Sequence, residues 1–184
     1  MGKEFDGIDE RLGAWIAQQH VFFVGTAPLA ADGHVNVSPK GDLRWFRVIG
    51  ARQVVYLDFV GSGAETIAHV RENARIVIML CAFEGPPRIV RLHGAARVLL
   101  PGEPDCAELL THFDPPVSAL RSLIHVEVER IADSCGYGVP LMRFDGRRDQ
   151  YDRWVDKKVR DGGLGSYVAE KNARSIDGLP AVGP

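Results

Sequence analysis

The sequence predicts a mainly β protein with flanking helices, folded as one antiparallel sheet or barrel. Strand-like runs at His20 to Thr26, His34 to Ser38, Arg44 to Ile49 and Gln53 to Val60 follow one another with only short turns between them. Parallel pairing needs a crossover of about a dozen residues or more, and these gaps leave no room for one. Similar runs at Arg75 to Phe83, Arg88 to Leu100 and Leu123 to Ile131 extend the pattern. The 20 glycines and 11 prolines supply the turns that many short strands require.

Each element has a local reason. Ile8, Leu12, Trp15 and Ile16 recur on one helical face, which predicts a first helix from Asp9. The run from Ala31 to His34 carries the Asp-Gly of a tight hairpin, and beyond it Val35 and Val37 alternate with His34, Asn36 and Ser38. Pro39 to Asp42 breaks that strand, and Gly50 to Arg52 turns between the next two. Gly61 to Thr66 opens a helix over Glu65 to Asn73, with Ile67 and Val70 as its apolar stripe. Glu84 to Pro87 turns the following strand pair. In the second strand of that pair Gly94, Ala95 and Ala96 suit a bend or bulge where a barrel closes. Pro101 to Phe113 reads as a surface helix stopped by Asp114, Pro115 and Pro116. A last helix is expected from Arg147 to Arg160, where Tyr151, Trp154, Val155 and Val159 form a stripe suited to core or an oligomer seam. An aperiodic tail follows from Gly162.

The chain of 184 residues reads as one domain, since folding at this size buries about two thirds of the surface without staples. A barrel with its N-terminal helix and helical insert spans 1–132; the loop, helix and tail of 133–184 pack on it or on a partner subunit. Lys and Arg total 22 against 24 Asp and Glu, so the net charge of −2 offers no general attraction for nucleic acid or an acidic membrane. The apolar runs are strand-length, far below the ~20 residues of a membrane span. With no leader pattern at the start, the expected address is cytoplasmic. Cys81, Cys106 and Cys135 are widely spaced, which favours reduced thiols over a disulfide framework. The six histidines show no metal-ligating spacing.

Chemistry first shows at Gly61, Ser62 and Gly63. A glycine-rich turn feeding a helix presents free N–H groups at the positive end of the helix dipole, a ready phosphate site to which Ser62 and Thr66 add hydroxyls. A plain strand-to-helix turn that uses Gly for its dihedrals explains the same residues. Lys40 is the second candidate, as a cation beside a flavin, against the alternative of a solvated turn lysine. Arg91 and His93 share one strand face, turned either to the same cleft or to solvent. Cys135, between small residues, reads as a reactive thiol or as loop packing.

The ordered set of the first helix, the hairpin into Asn36-Val37-Ser38-Pro39-Lys40-Gly41, the strand Tyr56-Leu57-Asp58-Phe59, the loop Gly61-Ser62-Gly63, the helix from Glu65-Thr66-Ile67 to Arg71-Glu72-Asn73 and the strand Arg91-Leu92-His93-Gly94 resembles the pyridoxamine 5′-phosphate oxidase-like family of flavin-binding split β-barrels. The resemblance covers about Asp9 to Leu100. It implies a homodimeric antiparallel split barrel holding FMN between subunits, its phosphate near Ser62 and Thr66 with help from Ser38 and Lys40. It implies an FMN-dependent oxidoreductase acting on a small molecule, with Ser38, Lys40, Gly61, Ser62, Gly63, Thr66 and Arg91 as cofactor-binding residues. A flavin- or haem-binding sensor without turnover, or a reductase using F420, are the alternatives.

The sequence also departs from the true oxidases of the family. Gly63-Ala64-Glu65-Thr66 stands where they carry a basic phosphate-gripping pair, and Arg153-Trp154 lies within a helical pattern instead of a basic closing segment. Both departures point away from vitamin B6 oxidation. Glu65 suits a cofactor phosphate only if it points outward along its helix. Trp15, Trp154 and the tail from Ser175 to Pro180 are the expected dimer seam.

Overall fold

The structure is a computed structural model that describes residues 2–114 and 119–183. Its framework is an eight-stranded antiparallel sheet. The strands are β1 (Glu4–Phe5), β2 (Phe22–Thr26), β3 (Asn36–Lys40), β4 (Phe46–Gly50), β5 (Gln53–Phe59), β6 (Arg75–Cys81), β7 (Ile89–Leu99) and β8 (Leu120–Ser134). They run in the order β3-β2-β6-β7-β8-β5-β4, with the short β1 added to the far half of β8. The ends of this order are consecutive in the chain, so the sheet curls to bring β3 back toward β4 and β5. Phe22 and Val24 of β2 then share one core with Phe46 of β4 and Tyr56 of β5, and this closure makes the split barrel.

Helices close the ends and flanks. Helix α1 (Glu10–Ala17) is capped by Asp9, whose carboxylate accepts the Leu12 N–H at 2.7 Å, and it buries Leu12 and Ile16. Helix α2 (Glu65–Asn73) has the predicted bounds and buries Ile67, Ala68 and Val70. Its stop is also as expected from Asn73: the side chain accepts the Arg75 N–H at 3.0 Å, while Ala74 takes a left-handed φ of 61°. Helix α3 (Pro104–Leu110) covers the outer face of β5 and β8 through Cys106 and Leu109. It is shorter than predicted, and 115–118, including the two prolines expected to stop it, lie outside the described residues.

Several expectations are corrected. β3 runs through Pro39 instead of breaking there, because it is the sheet's edge and a missing N–H costs no ladder bond. The Asp32-Gly33 pair does not form a two-residue hairpin: β2 and β3 pair from Thr26 opposite Asn36, and a nine-residue loop joins them. The tail is not aperiodic. After α4 (Gln150–Arg160), a helix α5 (Leu164–Lys171) turns Leu164, Tyr167 and Val168 onto Trp154 and Val155. Flanking glycines at 162, 163 and 165 obscured that short i, i+3, i+4 stripe. β8 continues three residues past each end of the predicted run, since Glu4 and Phe5 of β1 add a partner near its end.

The predicted bulge is present: the β7–β8 register shifts between His93 and Gly94. A Cβ at Gly94 would lie 2.0 Å from the Glu127 carbonyl oxygen, so only glycine permits this approach. No helix among the described residues is long and apolar enough to cross a membrane.

Candidate functional site

Strand alternation decides which hairpin residues reach the interior. Asn36, Ser38 and Lys40 pair with Thr26, Val24 and Phe22, all buried, so their side chains share the inward face. At the end of that row the Lys40 ammonium meets the Asp58 carboxylate at 3.0 Å. Asp58 is fully buried, and its other oxygen accepts from Arg121 Nε at 2.9 Å and from the Ser122 hydroxyl at 3.2 Å. Burial pushes the Asp58 carboxyl up, but Lys40 and Arg121 together outweigh it and hold it below the ordinary carboxylate value. Two cations around one carboxylate leave one positive charge in excess.

The Gly61 loop rests on this cluster and is tied down by side chains from later in the chain. The Val60 carbonyl accepts from the Tyr151 hydroxyl at 2.9 Å, the Gly61 carbonyl from Asn172 Nδ2 at 2.7 Å, and the Gly63 carbonyl from Arg121 Nη1 at 2.6 Å. Burial pushes the Tyr151 phenol up to about 12, so it stays a donor across the working pH range. In a trans peptide the N–H points opposite to the C=O. Fixing these carbonyls therefore turns the N–H groups of Gly61, Ser62 and Ala64 away from their donors, and none of the three has a partner among the described residues. No side chain caps α2 either, and Ser62 is exposed beside its start. The loop is thus a preorganised set of neutral donors suited to an anion.

Charge around the loop is nevertheless close to balanced. Glu65 does not point outward along the helix: Oε1 accepts the Ile176 N–H at 3.2 Å, and Oε2 lies 2.5 Å from where a Gly63 Cβ would stand. The tail that meets it is a small hairpin, bridged at Arg174 and Pro180, that clamps α2. Ala181 packs on Ala64 and Ala68, Arg71 donates to the Ala181 carbonyl, and Asp177 pairs with His34 at 2.6 Å.

Of the residues predicted for the site, Ser38, Lys40, Gly61, Ser62, Gly63 and Thr66 lie around this corner. Thr66 is not free for a ligand: it is buried and accepts from Asn36 Nδ2 at 3.0 Å. Asn36 also donates to Thr26, which pairs with the fully buried His69, and it accepts from Ser38. Arg91 is placed elsewhere. It pairs across strands with Met79, and Met79 with Phe23, on the outer face of the sheet, where its guanidinium reaches Ser134 at 3.1 Å. Asp58, Arg121, Tyr151 and Asn172 escaped sequence reasoning as parts of the site. For Asp58 a signal existed, a charge at an inward position of an apolar strand; for Asn172 and Tyr151 none did, because their partners are backbone atoms.

Beside Lys40, a cavity of about 690 Å³ opens between the Gly41–Asp42 turn and α4. Trp45, Phe59 and Tyr151 form one aromatic wall, with adjacent ring centroids 5.4 and 6.1 Å apart, and Arg44, Arg147 and Arg148 line it. This size and mixture are those of a small-molecule site.

The fold defines a split-barrel protein in which Tyr151 both ties the Gly61 loop and lines the neighbouring cavity. The chain belongs to the pyridoxamine 5′-phosphate oxidase family, whose model matches residues 8–135. It is similar to the pyridoxamine 5′-phosphate oxidase family protein ustO of Aspergillus flavus, with 32% identity over 97% of this chain and 77% of that protein. Among solved structures it resembles Group A Streptococcus HupZ, with a TM-score of 0.52 and 18% identity over 74% of this chain and 99% of that one. That last likeness is one of fold.

Proposed function

We propose that this protein is a homodimeric, FMN-dependent oxidoreductase acting on a small molecule. The observation that carries this reading is the Gly61 loop, whose carbonyls are held by Tyr151, Asn172 and Arg121 so that its N–H groups are presented outward. The FMN phosphate would be held by those N–H groups and the Ser62 hydroxyl, and Lys40 would stand as a cation toward the ring. When bound, FMN supplies two-electron hydride chemistry at its N5. The protein's own part is to fix the loop before binding, to exclude water with α4 and the tail, and to hold the Lys40 side chain in place through Asp58. None of this requires a side-chain acid or base.

The outer face of β3, β2, β6 and β7 supports the dimer reading. Val37 is 66% exposed there, next to half-buried Phe23, Val77 and Met79, and Val35, in the loop just before β3, is 73% exposed. A second copy covering this apolar face would take Arg91 toward the partner's cofactor, and this cation would offset Glu65. Trp154 contributes less to such a seam, since it packs against Tyr151 and Tyr167 of its own chain.

Purified protein is expected to be yellow and to release one FMN per chain on denaturation, identified by mass spectrometry. Colourless protein that takes up no added FMN overturns the proposal, as does release of F420 or haem.

A further inference from the structure

A second cavity, of about 780 Å³, lies at the other side of the His20–Phe144 pair, between α1, the β6–β7 turn and the strap that follows β8. Its walls are flat and apolar: Trp15 of α1, and Phe83, Pro86 and Pro87 of the turn. Its charge is one-sided. Arg11, Arg88 and Arg143 line it against the single carboxylate of Glu84. Glu84 is already engaged, accepting the Phe144 N–H at 3.1 Å and facing His20 at 4.0 Å. Arg88 is matched by Asp133 outside the cavity, at 3.1 Å. Arg11 and Arg143 have no ion-pair partner among the described residues. The Phe144 ring stacks on His20 with centroids 4.0 Å apart and planes 10° from parallel. Phe144 is 44% exposed and borders both cavities, so this stack is a partition held by one ring contact and one hydrogen bond.

We infer that this cavity is a binding site for a planar aromatic anion, its ring held among Trp15, Pro86 and the His20–Phe144 stack and its carboxylate or phosphate drawn to Arg11 and Arg143. A neutral aromatic would gain only the walls. An aliphatic anion would gain only the guanidinium groups, which at an exposed rim are weak alone. Arginine suits the task because its planar fork meets a carboxylate with two parallel hydrogen bonds. The inference goes beyond the flavin reading and does not depend on it, since no residue of the Gly61 corner takes part.

The test is calorimetric titration of the whole protein with naphthalene-2-carboxylate and, separately, with the neutral 2-naphthalenemethanol, flavin content being recorded by absorbance. One site per chain is expected, with the carboxylate bound at least tenfold more tightly than the alcohol. Arg11→Gln and Arg143→Gln, both at exposed positions that leave folding intact, should each weaken the carboxylate threefold or more and leave the alcohol unchanged. Equal affinity for the two probes, an unaltered carboxylate affinity in the double variant, or loss of binding on Trp45→Ala, which belongs to the other cavity, overturns the inference.

Discussion

Lys40 Nζ and Asp58 Oδ1, 3.0 Å apart, join strands β3 and β5 from opposite halves of the sheet order. The pair acts as a clasp across the barrel's seam, and Arg121 completes it from below at 2.8 Å. Removing one partner of a buried ion group strands the others, a loss of about 3–5 kcal/mol. Asp58→Asn is therefore expected to lower the urea unfolding midpoint far more than Lys40→Met, because Lys40 is 25% exposed and Asp58 not at all. The depressed Asp58 pKa contributes stability above the unfolded value of about 4, lost as pH falls through the folded one. The wild-type advantage over Asp58→Asn should shrink only below about pH 4; an advantage already lost at neutral pH would refute the clasp.

How much of this the sequence disclosed follows from the range of each interaction. Helix α2, the strand runs and the Gly94 bulge are written in periodicity and in glycine's size, properties of neighbouring residues. The tail hairpin and the loop ties are not: Asn172 reaches Gly61 across 111 positions and Tyr151 reaches Val60 across 91. Their acceptors are carbonyl oxygens that every residue carries, so no residue type marks them. Lys40 could be read as functional but not as paired, because the strand order that brings Asp58 to it is a tertiary fact.

Glu65 is a carboxylate beside the Gly61 loop, and the proposed flavin site should feel it. Glu65→Gln keeps an oxygen for the Ile176 N–H and removes the charge. FMN affinity, measured by quenching of flavin fluorescence, is expected to rise several-fold. Asn172→Ala frees the Gly61 carbonyl and is expected to weaken FMN about fivefold, with one hydrogen bond's worth of stability lost, about 1 kcal/mol. An affinity unmoved by both changes would place the phosphate elsewhere.

The buried His69 and His125 and the half-buried His93 set a pH dependence of opposite origin to acid loss at carboxylates. Burial lowers the pKa of His69, His93 and His125, so each stays neutral in the fold while the unfolded chain takes up protons near pH 6.5. Their contribution is complete above about pH 6.5 and declines as pH falls. The thermal midpoint should drop between about pH 7 and 5, and His69→Asn, which can still bond Thr26, should flatten that drop while lowering the midpoint at neutral pH. His34, whose pKa is raised by Asp177, works in the opposite direction over this interval, so an unchanged pH profile in His69→Asn would refute the role given to His69.

The proposed dimer places Val37 at its seam. Val37→Lys adds a charge to an exposed edge-strand position that the protomer's own core does not use, so the fold should survive. Sedimentation should shift from a dimer of twice 20.2 kDa toward the monomer, with loss of bound flavin in parallel. Monomeric wild-type protein that retains full flavin would separate cofactor binding from assembly.

Gly94 tests the barrel's closure directly. It sits at the shift in register between β7 and β8, the longest pairing in the sheet, which runs from Ile89 opposite Ser134 to Leu99 opposite Leu123. A methyl there would lie 2.0 Å from the Glu127 oxygen and 2.9 Å from its carbon, both backbone atoms that no rotamer change can move. Relief requires the strands to part, which breaks ladder bonds on either side of the bulge. Gly94→Ala is expected to cost about 3 kcal/mol or more in urea unfolding. Gly138→Ala, where the added Cβ meets nothing within 4 Å and the φ is ordinary, should cost almost nothing. Equal stability of the two variants would mean that the bulge relaxes freely and that closure does not depend on the glycine.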